Sequence, residues 1–281
     1  MTVTATAATA ATHRATSVAR RPSPDAVASG GARQLLIRQS LAELLKLLRA
    51  PDFVAPVVLL PVVLYTLFAG PSLSAVTDDG LAIGPVLTAS FTAYGVLGIV
   101  LFTFGEAVAA ERGMGWLRLV RATPLPGWAF LAAKLVAGVA LVAVFLAVMI
   151  PASMVLGGGM IPDGWLRLGG VVMLGALAMA PVGFLVGFLV RPAAAGAVAL
   201  LVYLPLSFAS GMWTPLEFLP EPVQAISPYL PTYHLNALGH AAVGVPTPDV
   251  AVHVAWLVGT FFVGSIVAAA AYRRAAGRQF A

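Results

Sequence analysis

Six stretches of nearly unbroken apolar residues dominate the chain, and short segments containing polar residues, glycine or proline separate them. Each stretch is close to the roughly 20 residues that an α-helix needs to cross the hydrocarbon core of a bilayer. The pattern therefore predicts an all-α polytopic membrane protein with six transmembrane helices. The predicted spans are 53–70, 81–104, 128–156, 168–190, 193–210 and 250–271.

An amphipathic helix is predicted at 33–49, directly before the first span. Leu41, Leu44, Leu45 and Leu48 recur at helical spacing, whereas Arg and Lys occupy mostly other positions. A leucine stripe with basic residues around it is typical of a helix in the membrane interface. A soluble helix packed on a partner is the alternative, but a span follows at once, which favours the interface.

Residues 1–32 are rich in Ala, Thr and Ser and show no apolar periodicity. This composition predicts a disordered cytoplasmic tail. A secretory signal would need an apolar stretch soon after Arg20 and Arg21, and the residues that follow them are polar. Residues 276–281 are predicted to form a second, short cytoplasmic tail.

The segment 211–249, before the last span, is fairly apolar yet contains seven prolines. Thr214, Pro215 and Glu217 fit a helix start, and Pro228 would help to end that helix. A second short helix is expected over about 233–243. We predict two outer half-length helices that dip into the membrane, with an ordinary extracellular loop as the alternative. The candidate residues of this re-entrant segment are Trp213, Pro215, Glu217, Pro228 and Tyr233.

Composition and charge fit one membrane domain over 33–275. Charged residues make up only 10% of the chain, hydrophobic residues 60%, and mean hydropathy is +0.94. Under the predicted topology, fifteen of the sixteen Lys and Arg residues fall on one side, and the exception is Arg167. Loops rich in Lys and Arg face the cytoplasm. Both termini are therefore predicted to lie in the cytoplasm, and the net charge of +5 does not indicate a nucleic-acid partner.

Motifs for chemistry are largely missing from the sequence. The chain has no cysteine, and neither Lys46 nor Lys134 follows a glycine, as a Walker A loop requires. No zinc-binding His-Glu-x-x-His sequence occurs, so no metal site is expected. No Asp or Glu lies well inside a span, so internal ion coupling has little to work with. A transporter of this kind would take its energy from another subunit. Gly183 and Gly187 have the spacing of a close helix contact in lipid.

The segment 105–127 is the one substantial cytoplasmic loop between predicted spans. It combines acidic residues near the span end, a glycine and a short basic helix that ends at Thr123 and Pro124. Arg118 and Arg121 are three apart and share a helix face. Such a helix could insert into a groove on a cytoplasmic partner. A plain loop that follows the positive-inside rule is the alternative.

Two segments resemble a known family when they are taken in order. The first contains Glu111-Arg112-Gly113, Leu117–Pro126 and Lys134, and it is similar to the first cytoplasmic loop of ABC exporter permeases of the second type, which include daunorubicin-resistance and polysaccharide-export permeases. The second, Ser210–Pro220 continuing to Tyr233, is similar to the region before the final span of that family. The resemblance covers about 33–275. Met114-Gly115 departs from the commonest form of the loop.

The resemblance implies a permease subunit in the inner (plasma) membrane that pairs with a second copy or a paralogue. Two copies of a separate cytoplasmic ATPase would dock on it and hold ATP and Mg, so this chain would bind no cofactor and would not itself be an enzyme. A hydrophobic or amphipathic substrate, such as a drug, lipid or glycan-lipid, would be exported between the two permeases. The residues implied in coupling are Glu106, Glu111, Arg112, Gly113, Arg118, Arg121, Thr123 and Pro124.

Two other classes stay open. A non-transporting membrane scaffold or assembly factor would also be polytopic and would also bind partners. An intramembrane enzyme is less well supported, because the spans contain no carboxylate pair and no set of nucleophile and base.

Overall fold

Helices make up the fold of the protein in the computed structural model, which describes residues 32–77, 80–115, 127–160 and 162–278. Within those ranges there are six helices long and apolar enough to cross a membrane and no β-strand, only an isolated bridge between Val76 and Ala82. The predicted fold class, an all-α polytopic membrane protein, is confirmed. The helices are α1 (Ala32–Leu48), α2 (Ala55–Ser72), α3 (Ile83–Gly113), α4 (Gly127–Leu156), α5 (Pro162–Leu189), α6 (Pro192–Ala209), α7 (Glu221–Ile226), α8 (Pro231–Ala242) and α9 (Val250–Arg278).

The six long helices are α2 to α6 and α9. The shortest of them have 18 residues and the longest has 31. At about 1.5 Å per residue, 18 residues extend about 27 Å, which approaches the thickness of the hydrocarbon core. Each begins and ends within a few residues of its predicted span, except that α3 runs on to Gly113, α5 begins earlier, at Pro162, and α9 ends later, at Arg278.

The extension of α3 changes the predicted loop 105–127. Its first nine residues, 105–113, continue the helix, because Ala and Glu are strong helix formers. Within α3 the segment Val100–Glu106 has the wider π-helical winding. The other loop residues predicted to act in coupling, Arg118, Arg121, Thr123 and Pro124, lie outside the described residues.

Helix α3 is the centre of the bundle, with 83% of an 18-residue apolar stretch of the helix buried inside the protein. Helix α5 packs on it, and α4 packs on both. The remaining spans are peripheral: α9 packs on α5, while α2 and α6 flank α3. Helix α1 crosses α4. By chain order, α1, Arg112, Arg191 and Arg273 share one end of the bundle, here called the basic end. The opposite end, which carries α7, α8 and Asp163, is the acidic end.

The contact between α3 and α5 depends on glycine. A Cβ placed on Gly183 would lie 2.5 Å from the carbonyl oxygen of Val100, and one on Gly187 would lie 2.7 Å from that of Phe104. Real Cβ atoms do not approach oxygen so closely, so side chains at these positions would push the helices apart. The two glycines singled out in the sequence therefore lie at the closest part of this contact.

Helix α1 turns a mixed face towards the bundle. Ser40, Glu43 and Leu47 are buried against it, whereas Ile37 and Leu41, each 54% exposed, point outward. An exposed apolar face is what an interfacial helix presents to lipid. The buried face is unexpectedly polar, because Glu43 forms an ion pair with Lys134 of α4.

The segment before the last span contains two short helices, but the first is not the one predicted. Thr214 does not cap a helix; a 3-10 turn at Leu216–Phe218 is followed by α7, which begins at Glu221. Pro220 accounts for the break, because a residue before proline avoids the α conformation. Helix α8 starts with Pro231 at its first position, which suits the missing N–H of proline.

Candidate functional site

A groove of about 690 Å³ lies on the side of the helix bundle. Its floor is α3 and its walls are α2 and α6, with Trp213 at the acidic end. The α3 residues recur every four positions, so they form one face of that helix. We refer to this cavity as the groove. Its lining residues are Phe53, Pro56, Val57, Leu60 and Leu64 from α2 and the turn before it, Tyr94, Gly98, Phe102 and Glu106 from α3, Gly196, Leu200, Tyr203 and Leu204 from α6, and Trp213.

A series of aromatic rings lines the length of the groove. Phe102 meets Tyr203 edge to face at 5.8 Å between centroids, and Tyr203 stacks on Tyr94 at 4.5 Å. Tyr94 in turn meets Trp213 at 5.0 Å. The Tyr203 hydroxyl donates to the Tyr94 carbonyl at 3.1 Å, and the indole N–H of Trp213 donates to Ser207 Oγ at 3.1 Å. The rings are therefore held in place and form a rigid wall.

Glu106 is the one ionisable residue among the residues lining the groove apart from the two tyrosines. It lies near the basic end, one turn beyond Phe102. The carboxylate sits against α6 at Gly196, where an added Cβ would be 2.8 Å from Glu106 Oε1. In the part of the chain that the structure describes, Glu106 makes no ion pair and no side-chain hydrogen bond. The sequence places it with the coupling residues, whereas the structure turns it towards the groove.

Four charged side chains meet at the basic end, between α1, α3 and α4. Lys134 Nζ lies 3.1 Å from Glu43 Oε2 and 2.8 Å from Glu111 Oε1, and all three side chains are buried. Lys46, which is half exposed, also bonds Glu111. Two positive and two negative charges balance, which a buried cluster needs if it is to avoid a large desolvation penalty. We call this set the ion cluster.

Arg112 and Gly113 follow the ion cluster at the end of α3. The Arg112 guanidinium donates to the carbonyl oxygens of Phe188, at 2.7 Å, and of Val190, at the end of α5. A cation there satisfies carbonyls that have no partner within the helix. Gly113 lies against Pro192, which begins α6. The end of α3 is thus connected to α1, α4, α5 and α6 within a few residues.

The candidate residues of the outer segment are spread over the acidic end. Trp213 closes the groove, Pro215 and Tyr233 line a separate cavity of about 290 Å³, and Glu217 is exposed. The Pro228 carbonyl accepts a hydrogen bond from His234 Nε2 at 2.9 Å. The structure does not bring these five residues into one site.

Histidines link α8 to the spans at this end. His240 Nε2 lies 2.7 Å from Ser90 Oγ of α3, and His234 Nδ1 lies 2.7 Å from His253 Nδ1 of α9. Burial lowers the pKa of His240 to about 4 and also lowers the pKa of His234 below its ordinary value. Among the described residues, no three His, Asp or Glu side chains come together as a metal ion would require.

Sequence reasoning missed the aromatic face of the groove, and it named only Glu111 of the ion cluster as a candidate site residue. The sequence indicates Lys134 only through the family resemblance, yet its side chain is only 4% exposed and is paired with Glu43 and Glu111. Both lysines of the chain belong to the cluster, but the sequence does not indicate which carboxylates they pair with. Tyr94, Gly98, Phe102 and Glu106 also recur every four residues, although this spacing alone does not indicate which helix covers that face of α3.

Comparison with known proteins agrees with this architecture. Residues 79–270 match the family described as ABC-2 family transporter protein. The protein of Bacillus subtilis (strain 168) named "Putative transport permease YvfS" is 28% identical over 204 residues, covering 72% of this chain and 83% of that protein. The family match spans α3 to most of α9 and so includes the groove floor, one wall and the end of α3. The resemblance noted in the sequence is confirmed, and the chain belongs to the ABC-2 family of transporter proteins.

Proposed function

We propose that this chain is the membrane-spanning subunit of an ATP-driven exporter. Its family supports a transport permease subunit and implies an ABC ATPase partner in general. In our proposal, two copies of a separate cytoplasmic ATPase bind ATP and Mg, and a second copy of the permease or a paralogue completes the path. The substrate is hydrophobic or amphipathic, such as a drug, lipid or glycan-lipid, and leaves the cell. In this proposal the protein lies in the inner membrane, and its basic end faces the cytoplasm.

One observation carries the proposal. Helix α3 runs from Ile83 to Gly113 and bears both the floor of the groove and Glu111 of the ion cluster. The candidate coupling loop follows directly. A force applied to that loop by an ATPase would therefore reach the groove through one helix. In this proposal Glu111, Arg112 and Gly113 transmit the motion, and Arg118, Arg121, Thr123 and Pro124 contact the ATPase.

The amphipathic character of the proposed substrate rests on the groove. Its volume is within the range of pockets for drug-sized molecules, and most of its lining is apolar. The groove opens along the side of the bundle between two peripheral helices, so a molecule dissolved in the membrane could enter from the lipid. The outer segment, through Trp213, covers the end from which the substrate would leave.

Co-purification tests the proposal. The tagged chain is co-expressed with its neighbouring genes and purified in mild detergent, and ATPase activity is measured in the eluate. We expect the ATPase to co-purify with the native chain and to be lost from Arg118→Glu/Arg121→Glu. A matched double reversal at the same end, Arg273→Glu/Arg274→Glu, should retain it. Failure of the native chain to retain an ATPase would contradict the transporter and favour a membrane scaffold.

A further inference from the structure

We propose that the groove binds an organic cation with an apolar body, and that Glu106 is the residue that selects its charge. This inference rests on the proposed function, because it names the substrate class of the groove. It commits to a small amphipathic cation, such as a lipophilic amine or a quaternary ammonium or phosphonium ion. Three features of the groove carry it: a carboxylate with no cationic partner among the described residues, a wall of aromatic rings and a long apolar shape with one charged end.

The carboxylate comes first. A charged group close to the membrane interior is costly unless it is paired, and such groups usually mark a substrate or ion path. Glu106 has no cationic partner in the described parts of the chain, although the nearby ion cluster pairs every one of its glutamates. Its surroundings include Phe102, Leu200 and Gly196, none of which can neutralise it. A cation in the groove would supply the missing charge.

The aromatic wall comes second. A cation over the face of Trp, Tyr or Phe is attracted by the ring quadrupole, and the attraction grows when water is excluded. Phe102, Tyr203, Tyr94 and Trp213 lead from the turn next to Glu106 to the acidic end in successive ring contacts. Phe102 and Trp213, at the two ends of this series, are the partly exposed rings, so a cation that leaves Glu106 would find a favourable surface at either end. Anions would meet the negative faces of the same rings and would be disfavoured.

The shape of the groove comes third. Gly98 and Gly196 let Tyr203 and Glu106 pack closely against the helices that form the groove: a Cβ on Gly98 would lie 3.0 Å from the Tyr203 hydroxyl, and one on Gly196 would lie 2.8 Å from Glu106 Oε1. The α2 wall is entirely apolar, from Phe53 to Leu64. The groove therefore combines one charged end with a long apolar side, which matches a molecule that has a charge attached to an apolar body.

Two ions of the same shape and opposite charge test the inference. Equilibrium binding of tetraphenylphosphonium and of tetraphenylborate is measured on the purified, detergent-solubilised chain. We expect the native protein to prefer the cation. Glu106→Gln should weaken binding of the cation by about tenfold or more, the factor expected for loss of a charge-assisted contact, and should not weaken binding of the anion. Glu106→Asp should restore part of the preference.

Matched variants control for folding and for adsorption to the micelle. Glu221→Gln removes an exposed carboxylate at the acidic end and should leave binding of the cation unchanged. Leu200→Trp fills the groove and should weaken binding, whereas Leu201→Trp, at a neighbouring position that is 72% exposed and outside the lining, should not. Size-exclusion profiles confirm that each variant is intact.

Two outcomes would overturn the inference. Equal affinity of the native chain for both ions would show an apolar groove without charge selection, as expected if a lipid tail or a second copy of the chain occupies it. Cation binding that survives Glu106→Gln would remove the residue from the site. Neither result depends on an ATPase, so failure here and failure of the co-purification experiment can be told apart.

Discussion

At the scale of single residues, Lys134 is the buried cation at the centre of the ion cluster. It is buried between Glu43 and Glu111 and also lies over the Phe130 ring, 4.9 Å from its centroid. Its ammonium group is what allows two carboxylates to be buried together. Lys46 completes the charge balance from a half-exposed position, where water can replace it. The two lysines of the chain therefore contribute unequally to stability.

We expect Lys134→Met to lower the free energy of unfolding by about 3–5 kcal/mol, because it leaves two buried carboxylates without a buried cation. Lys46→Met, the matched change at the exposed lysine, should cost about 1 kcal/mol or less. Thermal or denaturant unfolding in detergent measures both. Equal costs would mean that the four charges are not buried as described.

Sequence reasoning at this scale could identify charges but not their partners. Glu43 and Lys134 are 91 positions apart, and they meet only because α1 crosses α4. Nothing local to either residue indicates that contact. Glu106 shows the same limit. The sequence indicates that Glu106 lies at the inner end of a span, whereas the direction of its side chain depends on the winding of α3 and on how α6 packs.

At the scale of helices, apolar runs were enough to place the spans, because crossing a bilayer sets both the length and the composition of a helix. Prolines were less reliable as signals of where a helix ends. Pro151 and Pro181 lie inside helices that continue past them. Pro220, in contrast, broke the predicted first outer helix. Neighbouring helices stabilise a proline within a bundle, and the outer segment has less such support.

Gly183→Ala should separate α3 from α5 and lower stability by about 2 kcal/mol or more, because its Cβ would collide with a backbone carbonyl that has no free space to move into. Gly170→Ala, on the same helix, has no atom within 4 Å of the new Cβ. It should be neutral or stabilising by up to about 1 kcal/mol, since alanine favours helix. Comparing the unfolding of the two variants separates packing from helix propensity, and similar losses would contradict the close contact.

At the scale of the whole molecule, the two ends differ in chemistry. The basic end is held by lysine, arginine and glutamate, and the acidic end by histidine, serine and backbone carbonyls. Histidine is the side chain whose charge changes near neutral pH. The acidic end should therefore respond to mild acid while the basic end does not.

Stability should fall as the pH drops from about 6.5 towards 4. An unfolded histidine takes up a proton near its ordinary pKa of 6.5, whereas burial lowers the pKa of His240 to about 4, so protons favour the unfolded chain between those values. The loss is about 2 kcal/mol, allowing for the partial solvent contact of the ring. His234 acts in the same direction. The unfolding temperature should depend less on pH across this range in His240→Gln than in the native chain. An unchanged pH dependence would rule out this residue as the cause.

The ion cluster limits how the molecule can move. Sliding α1 along α4 would separate Glu43 from Lys134 and leave buried charges unpaired, whereas tilting α1 together with α3 and α4 keeps all four charges in contact. A force applied at the basic end should therefore rotate α1, α3 and α4 together as one block. The α2 and α6 walls lie outside that block, so the rotation would change the width of the groove rather than its length. In the proposed transporter, movement at the basic end would then act on a bound substrate by narrowing the groove from the side.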